Sequence, residues 1–397
     1  MPAKTCEDIT SAADSKTLLL GLTKPEIQAF TDRLGFKKFR ASQIASWLYK
    51  TPVMSIDEMT NISLEERKKL KEKASVTGLI AEGRASSSEK GTSKYLFKTA
   101  DGLFTEAVKI GSGAKATICV SSQIGCGLGC AFCATGSMGP GRNLSVDEIL
   151  AQVVYFMSKG KDSVGNIVFM GMGEPLLNYS NVIRAVKIMN SPEGMGIGIR
   201  RITISTCGLP DKIRKLAGEG LDFNIAVSLN APDDKKRSRL MPINDTYHIR
   251  EVLKAVDYYI QSTNRRVTFE YVMIKGVNDS IKDAKDLLEL LKDRLCHVNL
   301  IPFNRFKGSD FEPTTRQRAE LFVQILAHGG VNATIRKSRG SDISAACGQL
   351  TATRAYQPVY LPAGRQGSVG TRPQRLASSS CVAGREHPAL CKKKLLE

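Results

Sequence analysis

The sequence predicts an α/β fold, a parallel sheet wound as a barrel or partial barrel, preceded by a small helical domain. Three observations predict it. From about Lys115, short β-branched runs alternate with amphipathic helical stretches, the pattern of strands crossed over by helices. The first 95 or so residues carry helical spacing instead. The unusual motifs all fall just after predicted strands, where such a barrel keeps its chemistry.

The N-terminal segment opens its first helix at Thr23-Lys-Pro-Glu26, a capping-box spacing with Pro25 early in the helix. Ile44, Trp47 and Leu48 recur at helical spacing after Arg40, and Ser63-Leu-Glu-Glu66 opens a third, Lys-rich helix. Residues beyond it, to about 95, read as turn-rich. Lys37, Lys38 and Arg40 beside Phe36 and Phe39 read as a solvated face over a small core, with RNA contact as the alternative. The expected strands are Ala116–Val120, Asn166–Met170, Arg201–Ser205, Phe223–Ser228, Arg266–Met273, Val298–Pro302 and Ala333–Arg336. Helical patterns lie between them, among them Leu150–Met157, capped by Ser145-Val-Asp-Glu148, and Ile281–Lys292. The expected organisation is an accessory domain over 1–95, a catalytic domain over 96–355, and a disordered tail over 356–397. That tail is rich in Pro, Gly and Ser and has no sustained periodicity.

Net charge is +18, from 57 Lys and Arg against 39 Asp and Glu. The tail from Gln357 holds seven basic and two acidic residues, so about +13 stays with the body. Such an excess suits a polyanionic partner, because neutralising phosphates releases counterions. No apolar run approaches the roughly 20 residues of a membrane span. No secretion signal opens the chain, so a cytoplasmic protein is expected.

Four of the ten cysteines fall within Cys119–Cys133, and clustering of that kind reads as metal or catalysis rather than a disulfide scaffold. Cys126-Gly-Leu-Gly-Cys130-Ala-Phe-Cys133 is a C-x3-C-x2-C triplet in a Gly-rich loop after a strand. Thiolates are ligands of Fe–S clusters and of zinc. Three on one loop leave an iron open to a cofactor. The rival is a zinc site with Cys119 as fourth ligand, although structural zinc usually takes two separated pairs.

Gly171-Met-Gly-Glu174-Pro-Leu-Leu-Asn178 follows an apolar run, where a tight turn could approach a ligand and Glu174 could accept from an ammonium group. Leu176 stands where a dinucleotide fingerprint needs glycine. Ser205-Thr-Cys-Gly208, Ser228-Leu-Asn-Ala-Pro232 and Ile301-Pro-Phe-Asn304 put small polar groups at further strand ends. Cys347, in the Gly-, Ser- and Arg-rich stretch Arg336–Leu350, is either a nucleophile of lowered pKa or an ordinary buried thiol.

The triplet, with Phe132 before its third cysteine, resembles the radical S-adenosylmethionine (SAM) superfamily. Phe39–Ile44 with Trp47, Cys119–Cys126, Gly171–Asn178, Ser228–Pro232 and Ser338–Leu350 together resemble one family within it. This is the RlmN/Cfr family of RNA adenine-C methyltransferases, and the RlmN side of it more than Cfr. The resemblance spans about residues 17 to 355. It implies a partial (β/α)6 barrel with an N-terminal accessory RNA-binding domain. A 4Fe–4S cluster would be held by Cys126, Cys130 and Cys133, and two SAM molecules used per turnover. Gly173, Glu174, Ser205, Ser228, Leu229, Asn230 and Asn304 match the family's SAM-contacting positions. Asn230 stands where some members carry histidine.

The mechanism implied begins with methyl transfer from one SAM to Cys347. A radical made from a second SAM then activates that methyl group, which adds to the adenine ring. Glu106 matches the acid–base position, and Cys119 releases the product by attacking the Cys347 sulfur, leaving a disulfide. The substrate implied is adenine C2 in the peptidyl-transferase loop of 23S rRNA, and the adenosine 3′ to the anticodon in tRNA. A one-electron donor such as flavodoxin and a monomeric enzyme go with it. The nearest alternative is adenine C8, as in Cfr-type resistance. A methylthiotransferase would need further cysteines before Cys119, where Cys6 is the sole one. A zinc-dependent RNA-binding protein would consume no SAM. Cys6, Cys207 and Cys296 read as structural.

Overall fold

The computed structural model describes residues 16–89, 91–111, 116–158 and 164–352, and the backbone of 357–358. The expected disordered tail over 356–397, with Cys381 and Cys391, lies outside the described residues apart from that dipeptide, as does Cys6.

Strand–helix alternation beyond residue 115 becomes six β/α units. The strands are β6 (Ala116–Cys119), β7 (Val164–Phe169), β8 (Ile202–Thr206), β9 (Asn224–Ser228), β10 (Val267–Met273) and β11 (Cys296–Pro302). They run parallel in that order, and β12 (Ala333–Ile335) continues the sheet beyond β11. Helices α5 (Val146–Ser158), α6 (Tyr179–Asn190), α7 (Pro210–Ala217), α9 (Ile249–Thr263), α10 (Ile281–Leu291) and α11 (Arg316–His328) make the crossovers. Each buries one apolar stripe against the sheet, as α9 does with Val252, Val256 and Tyr259. The result is the partial (β/α)6 barrel expected.

Residues 80–110 differ from the turn-rich expectation. They form β3 (Ile80–Ser86), β4 (Ser93–Lys98) and β5 (Phe104–Ile110), an antiparallel extension joined to the barrel through β5 and β6. The strand β3 alternates exposed and buried, but its buried positions are Ala81 and Gly83, too small to give a periodic apolar signal. Gln357–Pro358 pairs with its outer edge.

Residues 17–76 hold α1 (Lys24–Arg33), α2 (Phe39–Tyr49) and α3 (Leu64–Lys73), beside the two-residue pair β1 (Thr17–Leu18) and β2 (Ala74–Ser75). The expected caps are present: the Glu26 carboxylate accepts from Thr23 N at 2.6 Å, and Ser63 Oγ accepts from Glu66 N at 3.3 Å. This helical module does not hang on a linker. Ile27, Ile44 and Leu48 share one apolar cluster with α5 and α6, and Arg184 reaches across to Glu26 at 2.7 Å. Of the basic edge, Lys37 and Lys38 are exposed, while Arg40 pairs with Glu66 at 2.6 Å and lies over the Phe39 ring. Among the described residues no helix is long and apolar enough to cross a membrane.

Candidate active site

The ends of β7 to β11 and the loop that follows β6 line one solvent-connected cleft. Cys126, Cys130, Phe132 and Cys133 form one wall, and Gly173, Glu174, Ser205, Cys207, Ser228, Asn230 and Asn304 the floor and far side. Cys347 and Arg336 enter from the chain beyond β11. A second cleft, of about 770 Å³, is lined by Cys119, Val168, Leu350 and the basic run Arg336, Lys337 and Arg339. Met170, Ile301, Arg336 and Cys347 line both, so Cys347 stands at the junction.

The triplet loop is folded as tightly as backbone permits. Cys126 N donates to Gly139 O at 2.8 Å and Cys133 N to Cys130 O at 3.1 Å. A Cβ on Gly125, whose φ is +70°, would meet Gly139 O at 2.5 Å, and one on Gly136 would meet Cys130 backbone at 3.0 Å. Sulfurs rather than side-chain bulk therefore face the cavity, and three thiols on one wall suit a 4Fe–4S cluster with an open iron. Among the described residues no three His, Cys, Asp or Glu side chains converge on a single-ion position.

The glycines Gly171 and Gly173 line the cleft and also let the turn pack closely. A Cβ on Gly171 would strike Ser121 Oγ at 2.6 Å, and one on Gly173 the Gln123 side chain at 2.4 Å. They seat the turn on the chain leaving β6. The Glu174 carboxylate is buried, and burial pushes its pKa up. Its two oxygens accept from Leu176 N at 3.0 Å and Cys207 N at 2.8 Å, tying the ends of β7 and β8 together.

Asn230 adopts left-handed backbone, with φ 58°, which asparagine tolerates well. Its Oδ1 accepts from Val272 N at 2.8 Å, fixing the end of β9 to β10. Asn304 Nδ2 donates to Cys347 O at 3.1 Å. Leu229 is not in the cleft: its side chain is core, and only its backbone faces this end of the barrel.

The Cys347 loop is stitched to the triplet loop. Ala134 N donates to Gly348 O at 2.7 Å, and Thr135 Oγ1 to Leu350 O at 2.7 Å. The Cys347 thiol is not of lowered pKa, against one of the two expectations. Burial pushes it up, with the Arg336 guanidinium opposing and the Glu270 carboxylate adding to the rise. Burial likewise pushes the Cys119 thiol up to about 12.

Glu106 is not the solvated charge that its strand position suggests. It is fully buried, paired with Lys94 Nζ at 3.1 Å, and its Oε2 accepts from Thr351 N at 3.0 Å. Burial raises its pKa, and Lys94 opposes the rise. It lies behind the Cys347 loop and lines neither cleft.

Sequence reasoning missed three members of the site. Cys207, read as structural, lines the main cleft, and its thiol donates to the Cys130 sulfur, which holds the Cys130 thiol below its ordinary value. Glu270 is a charge in the middle of an apolar strand, which was the available signal. Lys94 gave none, because its strand was not foreseen.

A model of the Radical SAM superfamily matches residues 120–291. One described as the ribosomal RNA large subunit methyltransferase N-terminal domain matches residues 17–76. The chain is 46% identical over 336 residues to the probable dual-specificity RNA methyltransferase RlmN of Thermotoga sp. (strain RQ2), covering 85% of this chain and 98% of that one. It is 43% identical to a protein of the same name from Streptococcus agalactiae, covering 86% and 95% of the two chains. Among solved structures it resembles a radical SAM methyltransferase from Sphaerobacter thermophilus with a TM-score of 0.83 and 44% identity, over 85% of this chain and all of that one.

Proposed function

The chain belongs to the RlmN family of radical SAM RNA methyltransferases, and from that premise we propose that it methylates adenine C2 in two RNAs. These are the peptidyl-transferase loop of 23S rRNA and tRNA, at the adenosine 3′ to the anticodon. The observation that carries this reading is Cys347 at the junction of the cysteine-walled main cleft and a second, basic-rimmed cleft that holds Cys119. The dual specificity named for the relatives supports more than one RNA.

Cys126, Cys130 and Cys133 would hold a 4Fe–4S cluster, and SAM bound in the main cleft would supply the methyl group and the radical that opens its C–H bond. The residues do the rest. Cys347 carries the methyl group, so two SAM molecules are used per turnover, and its position gives it access to both clefts. The second cleft takes the adenine between apolar walls, with Lys337 and Arg339 at the rim for phosphate. Once the methylene carbon on Cys347 has bonded to the ring, the adduct must give back the one electron supplied at the start, to the cluster that Cys126, Cys130 and Cys133 would hold. Its ring proton goes to the Glu106 carboxylate after the Cys347 loop shifts at Thr351. The Cys119 thiolate then attacks the Cys347 sulfur. An S–S bond forms, the S–C bond to the RNA methylene breaks, and the electron pair leaves on carbon, which is protonated. Gly173, Glu174, Ser205, Ser228, Asn230 and Asn304 shape the SAM cleft, with Leu229 contributing through backbone alone. The accessory RNA-binding domain is the N-terminal segment, assigned from sequence as 1–95 before the catalytic segment 96–355. Within it the helical module ends by Val76, and β3 onward serves the catalytic sheet. A monomer in the cytoplasm, reduced by a one-electron donor such as flavodoxin, completes the reading.

The test is mass spectrometry of digested rRNA and tRNA after incubation with reconstituted, reduced enzyme and SAM. The expected product is 2-methyladenosine in both. Accumulation of 8-methyladenosine instead would overturn the regiochemistry, and zinc without iron in the reconstituted protein would overturn the enzyme reading.

A further inference from the structure

The two-cysteine reaction needs two thiolates at different moments, in surroundings that disfavour both. Methyl transfer to Cys347 forms a C–S bond and breaks a sulfonium C–S bond, so one negative and one positive charge vanish together. Release by Cys119 needs a second anion in the neighbouring cleft. Both sulfurs sit at the end of the barrel where burial favours the neutral thiol. A fixed cation shared between them would meet both demands.

Arg336 occupies that position. Among the described residues it is the only cationic side chain lining both clefts, and it shares that junction with Cys347. Its own backbone is fixed, because Arg336 N donates to Leu300 O at 2.8 Å and so extends the β11–β12 register. Its guanidinium stands 3.9 Å from Glu270 Oε2, too far for a hydrogen bond, and that buried oxygen has no hydrogen-bond partner. The other carboxylate oxygen is taken by Asn299 Nδ2 at 3.0 Å. Glu270 therefore keeps the guanidinium near without engaging its donors. One of them already points to a sulfur, that of Met170, at 3.5 Å. The charged groups facing this point are Glu270, Arg336 and the rim residues Lys337 and Arg339.

We propose that Arg336 is the shared charge partner of Cys347 and Cys119, its guanidinium stabilising first one thiolate and then the other from the wall between the clefts. The proposal rests on the two-cysteine reading. It assigns Glu270 a positioning role, holding the guanidinium at the junction without engaging its donors. A lysine at this position would keep the charge but lose the planar fork of several donors. The electrostatic support agrees with the geometry: Arg336 opposes the burial effect on both thiols.

The test uses the reconstituted holoenzyme without RNA. Thiolate reactivity is read with methyl methanethiosulfonate, whose sulfenyl sulfur is attacked by thiolate with release of methanesulfinate. Peptide-resolved mass spectrometry follows the Cys347 and Cys119 peptides separately at neutral pH. Arg336→Gln is expected to slow both by about tenfold, the effect of one unit of thiol pKa. Arg336→Lys should restore most of the Cys347 rate and less of the Cys119 rate, and Lys282→Gln, on the exposed face of α10 away from both clefts, should change neither. A loosened or misfolded Arg336→Gln protein would expose both thiols and react faster, so slowing cannot come from damage. Rates within twofold of the parent in Arg336→Gln overturn the proposal, as does equal slowing in Lys282→Gln. A parallel Cys119→Ala reaction with RNA separates the two levels. If it traps no RNA while Arg336→Gln still slows modification, the two-cysteine reading fails and the charge pairing stands.

Discussion

The main cleft has two cysteine-bearing loops, and they are held in opposite ways. The Cys126–Cys133 loop is held by its own backbone and by the flanking glycines Gly125 and Gly136, where a Cβ would crowd backbone atoms. The Cys347 loop has backbone bonds too, one of them from Ala134 N, but most of its ties to other segments run through side chains: Gln349 reaches Arg305 O at 2.6 Å, Asn304 reaches Cys347 O, and Asp342 accepts from Ser87 and Ser88. The first is a rigid cradle and the second a removable wall. That difference suits a site whose metal-binding wall stays put while its other wall must admit RNA and exchange sulfur partners. Point substitutions should therefore separate the two functions cleanly.

The largest separation is expected at the sulfurs. Cys130→Ala should lose the cluster and all turnover, read as iron and sulfide per chain. Cys347→Ala should keep the iron and still transfer no methyl group, read by product mass spectrometry. Cys119→Ala should keep both the cluster and the first half-reaction, and accumulate a covalent protein–RNA adduct on a denaturing gel. A Cys119→Ala enzyme that turns over at the parent rate would sink the two-cysteine scheme.

One step smaller is Glu106→Gln, which leaves the loop anchor at Thr351 partly intact but removes the base. A fall of about 10²–10⁴ in turnover is expected, with cluster content unchanged. The Cys347 methyl group should still form, visible in the intact mass of the variant. Loss of that methyl group in Glu106→Gln would mean the carboxylate holds the loop and has no part in removing the ring proton.

How far each loop was legible follows from how it is built. A cradle made of backbone and glycine leaves a local signature, so Cys126, Cys130, Cys133 and the strand before them could be read from spacing. The barrel was legible for a related reason, because buried parallel strands are continuous apolar runs whatever their neighbours. The removable wall is held by contacts 30 or more residues apart, such as Gln349 with Arg305 and Lys94 with Ser344. No window of sequence contains both partners, and Cys347 could be given a role only through family resemblance. Cys207 was misjudged for the same reason: its nearness to Cys130 is created by β8 lying two strands from the triplet loop.

A still smaller effect is expected from Gln349→Ala. Gln349 is buried, and its amide also accepts from Ala346 N at 3.1 Å. Removing it leaves Ala346 N and Arg305 O unpaired, a loss of about 1–3 kcal/mol concentrated in the Cys347 loop. Turnover should fall several-fold and iron content should not move. Loss of iron would show that the two loops are one cooperative unit and would remove the contrast drawn above.

The smallest effect belongs to Asp342, at the exposed outer end of the same loop. Hydrogen bonds from Ser87, and from the Ser88 backbone and hydroxyl, hold its carboxyl below the ordinary aspartate value. A carboxyl depressed in the folded state contributes stability above its unfolded pKa, near 3.9, and loses it as pH falls through the folded value. Because the group is fully exposed, solvent screens the contribution and the effect should stay local. The protection of amides in 340–350, corrected for intrinsic exchange, should therefore fall as pH drops below about 4, while those of Cys126–Cys133 hold their protection. Asp342→Asn should show the faster exchange already at neutral pH and lose the acid-dependent step. Equal acceleration in both loops would place the weak point in the barrel rather than in the side-chain anchors, and the rigid cradle and removable wall would be one structure after all.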